Sequence, residues 1–307
     1  MAAPPRLLLL DAASMYFRAF HGVPESVQAP DGTPIGAVRG FVDAISRMLT
    51  DHPATDLVAC FDTDWRPQWR VDLVPEYKAH RVDAEAGEDA EEVPDLLAPQ
   101  VPVIEQVLDA VGIARVGVPD FEADDVIATL ARKAQSAVDI VTGDRDLFQL
   151  AEDGRPTTVI YIGRGFAKAE RLTDEDLQER YGVTAASYAD FATLRGDPSD
   201  GLPGVRGVGD KSAAAVVAAY PTIEAVLEAI DTGDAALPHR GKIEPAREYL
   251  ERAIQVVRVR TDVPLPALST VLPQTPADVA ALEALATRWG LERPINRLRT
   301  ALGQHDG

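Results

Sequence analysis

The chain has 307 residues, 46% hydrophobic and 26% charged, with a formal net charge of −19, the profile of an ordinary globular protein of one large domain or two modest ones. A single cysteine, Cys60, excludes an internal disulfide framework and a zinc-thiolate cluster, and the histidines show no ligand spacing. Arg6 followed by four leucines falls far short of a signal or membrane-spanning segment, so a cytoplasmic protein with no membrane partner is expected.

An acid excess speaks against nucleic acid as a partner, because such binding is driven by Lys and Arg displacing counterions. The distribution matters more than the sum. Asp83 to Asp95 holds seven acids and no base, and a set of candidate site carboxylates supplies most of the remaining excess. The rest of the chain is close to balanced, and bound metal would offset part of the site.

Arg6 to Asp11 is an apolar run ending in an acid, which predicts a strand leading into a helix through Tyr16, Phe17 and Arg18. An aspartyl-phosphate phosphatase could begin this way, but it wants a second Asp two residues on, where Ala13 stands. Ile35, Val38, Val42, Ile45 and Leu49 mark an amphipathic helix, and Leu57 to Phe61 a second buried strand followed by Asp62. From Asp64 the character changes. Trp65, Arg66, Trp69, Arg70, Tyr77, Lys78, His80 and Arg81 interleave cations with rings, a pattern that suits a nucleic-acid strand and equally a surface loop with buried stems. The acidic run at 83–95 is too polar to pack. Val101, Ile104, Leu108 and Val111 resume a helix, and Ala114 to Val118 reads as a strand.

Phe121 to Leu150 is the most informative stretch. Glu122, Asp124 and Asp125 open a helix whose Val126, Ile127 and Leu130 share a stripe, and Glu122 and Asp125, three apart, lie on one face. Val138 to Val141 reads as a buried strand with Asp144 and Asp146 on one side of its tip. Thr158 to Ile162 is one more strand, placed at an edge. Alternating strands and helices imply a mainly parallel sheet, in which sites gather at the carboxyl ends of the strands.

Either acidic piece alone could be a helix terminus or a solvated turn. Three strand ends carrying Asp11, Asp62 and Asp144 exceed what turn chemistry requires. Clustered carboxylates raise one another's pKa unless cations neutralise them, and Mg²⁺ or Mn²⁺ prefers such all-oxygen sites. Two such ions about 4 Å apart can clamp the attacking and leaving oxygens of a phosphodiester.

Beyond Leu172 the strands stop. Thr173 caps a helix, Ala186 to Leu194 is another, and further helices are expected at Thr222 to Ile230, at Glu244 to Val257, and from an N-cap at Thr275 with Pro276 at the first position through Trp289. Between them Gly196 to Ala213 carries Asp197, Asp200, Gly201, Gly204, Gly207 and Gly209, then Lys211 and Ser212 at a helix start. Glycines permit close backbone approach, and free N–H groups beside a lysine make an anion site suited to sequence-blind gripping of phosphates. No low-complexity linker separates the halves, so they should pack as one unit.

Three motifs in this order are specific: Glu-Ala-Asp-Asp at 122–125, Thr-Gly-Asp-Arg-Asp-Leu at 142–147, and Gly-Asp-x-Ser-Asp through Pro-Gly-Val-x-Gly-Val-Gly at 196–209. With weaker matches at Tyr16 to Phe20, at Tyr77-Lys78-x-x-Arg81 and at Thr261 to Leu265, the chain resembles the 5'-3' exonuclease and flap endonuclease family over nearly its whole length, in the form found as the N-terminal part of bacterial DNA polymerase I and as stand-alone nucleases.

The resemblance implies a PIN-like α/β nuclease domain over 1–172 with a helical arch or clamp at about 64–98. A helical DNA-binding subdomain over 173–300 would follow, with a helix-hairpin-helix-like element at 196–220. It further implies hydrolysis of DNA phosphodiesters at 5' ends, flaps or nicks by two divalent cations, in replication and repair. Asp11, Asp62, Glu122 and Asp124 would serve one metal, Asp125, Asp144, Asp146 and Asp200 the other, with Asp197 at the rim. Lys78 and Arg81 would orient the scissile phosphate. Tyr16 or Phe17 would stack on the terminal base, with Arg18, Arg70 and Tyr77 also facing DNA. Gly204, Arg206, Gly207, Gly209, Lys211 and Ser212 would grip the duplex, with a K⁺ held by main-chain carbonyls of that turn. A monomer is expected, with a DNA polymerase and a ligase acting in trans.

Two departures stand out. Gly201 replaces the Asn common in the family, and the acidic run lies where the arch should meet DNA. A DNA-binding scaffold without chemistry would lack some of the acids, and none is missing. A metal-dependent phosphatase would not need the glycine-rich helical half.

Overall fold

The structure, a computed structural model, describes residues 5–83, 91–152, 154 and 156–303. Six strands, β1 (Arg6–Asp11), β2 (Asp56–Cys60), β3 (Ala114–Val116), β4 (Ala137–Thr142), β5 (Thr157–Tyr161) and β6 (Glu170–Leu172), form one sheet in the order β3-β2-β1-β4-β5-β6. All neighbours are parallel except β6, which runs antiparallel to β5. The expected edge position of β5 is therefore corrected: β6 covers it. Three residues in a polar stretch are too few for alternation to announce a strand. The chain builds outward from β1 to β3 and then returns to lay β4 on the other side of β1. At such a reversal the loops leaving adjacent strands diverge and open a crevice.

Five helices, α1 (Ala12–Gly22), α2 (Gly36–Asp51), α3 (Gln68–Leu73), α4 (Val101–Val111) and α5 (Ala123–Lys133), fall among the first strands. Eight follow the sheet: α6 (Asp174–Tyr181), α7 (Tyr188–Arg195), α8 (Asp210–Ala219), α9 (Ile223–Asp231), α10 (Arg240–Ile243), α11 (Arg247–Val257), α12 (Val279–Trp289) and α13 (Glu292–Ala301). The period of two along β1 sends Leu8 and Leu10 to the face covered by Phe41 and Ile45 of α2 and Leu298 of α13. Leu7 and Leu9 meet Val126 and Ile127 of α5 on the other. Both faces are covered, which is why β1 reads as an unbroken apolar run until Asp11.

A third core joins the two halves. Leu177, Phe191, Val216 and Ile254 of the later helices enclose Phe148 and Val159 from the sheet side and Val74 and Tyr77 from the segment after α3. Phe148, Tyr161, Tyr181, Tyr188 and Phe191 form a continuous ring cluster across that junction. Shared side chains of this kind make the halves pack together, as the absence of a linker suggested.

Two helical readings change. The helix expected from Thr275 begins at Val279, capped by Asp278, whose Oδ1 accepts the Ala281 N–H at 2.9 Å. Pro276 thus lies in the approach to the helix, outside its first turn. Helix α13, which the sequence reading passed over, packs on α2 and is tied there by Arg297 Nε to Asp43 at 3.0 Å. Residues 84–90, most of the acidic run, lie outside the described residues; at its borders Val82 and Glu91 form an isolated antiparallel bridge. Among the described residues no single helix is long and apolar enough to cross a membrane.

Candidate active site

The reversal between β1 and β4 carries the acids. Asp11 ends β1 and caps α1, one oxygen accepting the Ser14 N–H at 3.0 Å and the other the Thr142 hydroxyl at 2.6 Å, which locks the tips of β1 and β4 together. Asp62, just past β2, accepts the Ala123 N–H at 2.7 Å, docking the start of α5 against the same edge. Asp144 is held in a tight turn, accepting the Asp146 N–H at 2.8 Å. Asp11, Asp62, Glu122, Asp124 and Asp144 thereby line one cleft of about 340 Å³, and Lys78 and Arg81 line it too.

Ser14, Phe17, Arg18 and His21 also border the cleft. Their spacing of three, four and seven puts them on one face of α1. Phe17 and Arg18 are expected from the sequence; Ser14 and His21 are not, although the same periodicity would supply them. Trp65 and Glu91 were likewise missed as cleft residues.

The electrostatics are uneven. Desolvation and the neighbouring Asp144 and Asp11 push the Asp124 carboxyl well above the usual range. Burial also raises Asp144, with Asp11 and Asp197 adding to it against the Asp146 N–H and Lys78. Asp146 is driven up by burial, then by Asp144 and Asp200, and its Oδ1 is buried without a partner. Desolvation in the cleft, with Glu122 and Asp11, pushes Asp62 up to about 7 against the pull of Lys78. Burial and Asp144 bring Asp200 to about 6 despite Lys78 and Arg81. These are carboxylates short of positive charge. An all-oxygen donor set of this kind fits a hard divalent cation. As the side chains stand, no group of three or more His, Cys, Asp or Glu among the described residues is already arranged to hold an ion, so loading requires the side chains to adjust.

Glu122 differs. Desolvation would raise it, yet Lys78 and Arg70 hold it below the ordinary glutamate value. Its Oε2 accepts from Lys78 Nζ at 2.6 Å and its Oε1 from the Tyr77 hydroxyl at 2.9 Å. Lys78 is itself placed by a left-handed backbone (φ 49°), its N–H donating to the Asp200 carbonyl at 2.9 Å. Arg81 Nη2 reaches Asp200 Oδ1 at 2.8 Å.

Two expectations need correction. Asp125 does not reach the cleft: it is fully buried, both its oxygens bound by Arg70 at 2.8 Å. Its shared face with Glu122 was read correctly, but that face meets a buried guanidinium. Arg70, 2% exposed, and Tyr77, 4% exposed, are therefore not DNA-facing. The interleaved cations and rings of 64–81 divide, with Trp65, Lys78 and Arg81 in the cleft and Arg70 and Tyr77 inside the protein. Tyr16 borders a neighbouring groove beside Phe61, Asp62 and Glu105, its ring 5.2 Å from Phe17, and burial together with Asp62, Glu91 and Asp11 pushes its hydroxyl up.

Asp146, Asp197 and Asp200 lie beside the cleft and outside its lining. Asp197 caps a short turn, accepting the Ser199 N–H at 2.9 Å, and stands 3.6 Å from Arg145 and 3.7 Å from Arg195. Both arginines were missed, although Arg145 sits within the Thr-Gly-Asp-Arg-Asp motif.

In the glycine-rich turn Arg206, Gly207, Gly209 and Lys211 are exposed and Ser212 half-buried at the start of α8. Gly204 serves a different end: a Cβ there would sit 2.4 Å from the Arg195 carbonyl, so it permits packing within the protein. Gly201 likewise lies under the clamp, where a Cβ would come within 2.3 Å of the Glu76 carbonyl, so glycine lets the 76–78 backbone close onto Asp200. The Gly207 carbonyl, a candidate K⁺ ligand, accepts from Lys242 Nζ at 2.8 Å.

The family described as 5'-3' exonuclease, N-terminal resolvase-like domain, matches residues 6–182, and the 5'-3' exonuclease C-terminal SAM fold matches 183–280. A 5'-3' exonuclease of Streptomyces coelicolor is 56% identical over 299 residues, 96% of this chain and 99% of that one. DNA polymerase I of Mycobacterium bovis is 39% identical over 285 residues, which are 90% of this chain and 29% of the polymerase. The bacteriophage T5 D15 flap endonuclease, solved with DNA and metal ions, shares the fold at 16% identity with a TM-score of 0.64, covering 97% of both chains.

Proposed function

The chain belongs to the 5'-3' exonuclease family, and on that premise we propose that the cleft hydrolyses DNA phosphodiesters at 5' ends, flaps and nicks with two divalent cations, Mg²⁺ or Mn²⁺. One observation carries the reading: Asp11, Asp62, Glu122, Asp124 and Asp144 share a cleft with Lys78 and Arg81. Acids there would hold cations, and the two bases meet the phosphate.

In this reading Asp11, Asp62, Glu122 and Asp124 hold one cation, and Asp144, Asp146 and Asp200 the other, with Asp197 supporting from the rim. When bound, the cations supply an activated water and neutralise charge on the phosphodiester. Lys78 and Arg81 orient the scissile phosphate and stabilise its developing charge. Tyr16 or Phe17 stacks on the terminal base, with Arg18 beside it. Arg206, Lys211 and the free N–H groups opening α8 grip the duplex without reading sequence. At the glycine-rich turn a K⁺ would have to share the Gly207 carbonyl with Lys242 or displace it. The enzyme works as a monomer in replication and repair, with polymerase and ligase acting in trans; its likeness to the N-terminal part of a DNA polymerase I supports that pairing.

The test is cleavage of a 5'-labelled flap duplex and a nicked duplex with Mg²⁺, Mn²⁺ or EDTA, beside Asp124→Asn and Asp144→Asn. Metal-dependent products lost in both variants are expected, their length separating junction cleavage from end nibbling. A wild type that binds the flap and cuts it with neither metal overturns the reading.

A further inference from the structure

Arg70 lies at the base of the clamp with all three of its guanidinium nitrogens engaged. Nη1 and Nη2 grip Asp125 in a two-pronged pair at 2.8 Å each, and Nη1 also stands 3.3 Å from Glu122 Oε1. Its Nε donates to the Val256 carbonyl at the end of α11 at 3.2 Å. Asp125 in turn accepts the Arg260 N–H at 2.8 Å on one oxygen and the Glu122 N–H at 3.3 Å on the other. Two donors on each oxygen fill the four lone-pair directions of a carboxylate. No direction remains for a cation.

The contacts form a chain. Asp125 fixes Arg70, Arg70 flanks one oxygen of Glu122, and Glu122 presents its other oxygen to Lys78 in the cleft at 2.6 Å. The knot also fastens the clamp to α5 on one side and to the 256–260 segment on the other. Such reach needs the planar fork of arginine; an ammonium cannot hold a carboxylate at two points and a carbonyl at a third.

We infer that Arg70 is a positioning residue of the nuclease reaction: through Glu122 it sets where Lys78 stands in the cleft, and Asp125 acts by holding Arg70 and not as a metal ligand. This rests on the reading of the cleft as a nuclease site, which wild-type flap cleavage tests separately.

The experiment compares Arg70→Met, Arg70→Lys and Asp125→Asn in wild-type and Glu122→Gln backgrounds, by single-turnover flap cleavage, flap binding with Ca²⁺ in place of Mg²⁺, and calorimetric titration with Mn²⁺. Arg70→Met is expected to slow cleavage about 100-fold, roughly 2.7 kcal/mol of barrier. Binding should stay within threefold, so that kcat falls and KM does not. In the Glu122→Gln background the same change should cost less than about fivefold, because the residue it acts through is already gone. Arg70→Lys should fall between Arg70→Met and wild type, and Asp125→Asn should keep the wild-type Mn²⁺ stoichiometry.

Equal losses in the two backgrounds overturn the positioning role. So does a folded Arg70→Met within threefold of the wild-type rate. Loss of one Mn²⁺ equivalent in Asp125→Asn restores Asp125 as a ligand and overturns the second half. If Arg70→Met does not fold, Arg70→Lys and Asp125→Asn carry the same comparisons, and the Mn²⁺ titration decides even if the wild type does not cleave.

Discussion

Two acid-rich regions lie back to back around the first turn of α5. On one side Asp124, with Asp11, Asp62 and Asp144, faces an open cleft in which burial and mutual repulsion raise most of these carboxyls. On the other, Asp125 faces Arg70. Glu122, which also lines the cleft, bridges the two sides through Arg70, Tyr77 and Lys78 and is held down where its neighbours are raised. Asp124 and Asp125 are adjacent in sequence, so composition does not separate them. What separates them is whether the protein itself supplies the positive charge. Asp125, balanced from within and shut off from the cleft, is part of the architecture, and an acid left unbalanced in the cleft is available to an outside cation.

The sharpest way to break this contrast is to neutralise one acid on each side. Asp124→Asn should lower single-turnover flap cleavage by about 10³-fold, some 4 kcal/mol of barrier, while leaving metal-free stability equal or higher, because it removes like-charge repulsion. Asp125→Ala should do the reverse to the fold. With Arg70 left as an uncompensated buried charge, unfolding free energy in urea should drop by about 3–5 kcal/mol. Equal stability effects at the two positions would erase the distinction.

Metal binding should stabilise through one side alone. At a hundredfold excess over its Kd, Mg²⁺ or Mn²⁺ should add about 2.7 kcal/mol to wild-type stability, visible as a rise in Tm. Asp144→Asn should lose much of that rise, and Asp125→Asn, where folded, should retain it.

The smallest expected effect is on pH. A carboxyl raised on folding, such as Asp62 at about 7 or Asp200 at about 6, keeps its proton in the folded state after the unfolded chain has lost its own near pH 4. The folded form then binds more protons, so metal-free stability should decline as pH rises from about 4 to about 7. Urea midpoints in EDTA across that range measure it. A midpoint that climbs toward neutrality would mean that balanced carboxylates such as Glu122 dominate instead.

The alternation of strand and helix, the three strand-end acids and the acidic helix start were legible because each rests on local periodicity: two along β1, and between three and four along α1 and α5. Capping was legible where an apolar residue led straight into the cap, as Leu172 does into Thr173, and misread where Thr275 and Asp278 competed three residues apart. Strand β6 was too short to carry a period. The acids of Gly196 to Gly201 could be named, but their ordering around the cleft could not.

The sequence by itself determined the class of fold, the family, and the collection of acids from which a metal site could be drawn. Tertiary structure decided which acids remain unbalanced. The partner of Asp125 is 55 residues away in the chain, and its remaining lone pairs are filled by backbone groups at 122 and 260. Charge balance in a folded protein is set by distances of a few ångström and by burial, and neither is a property of neighbouring letters in the chain.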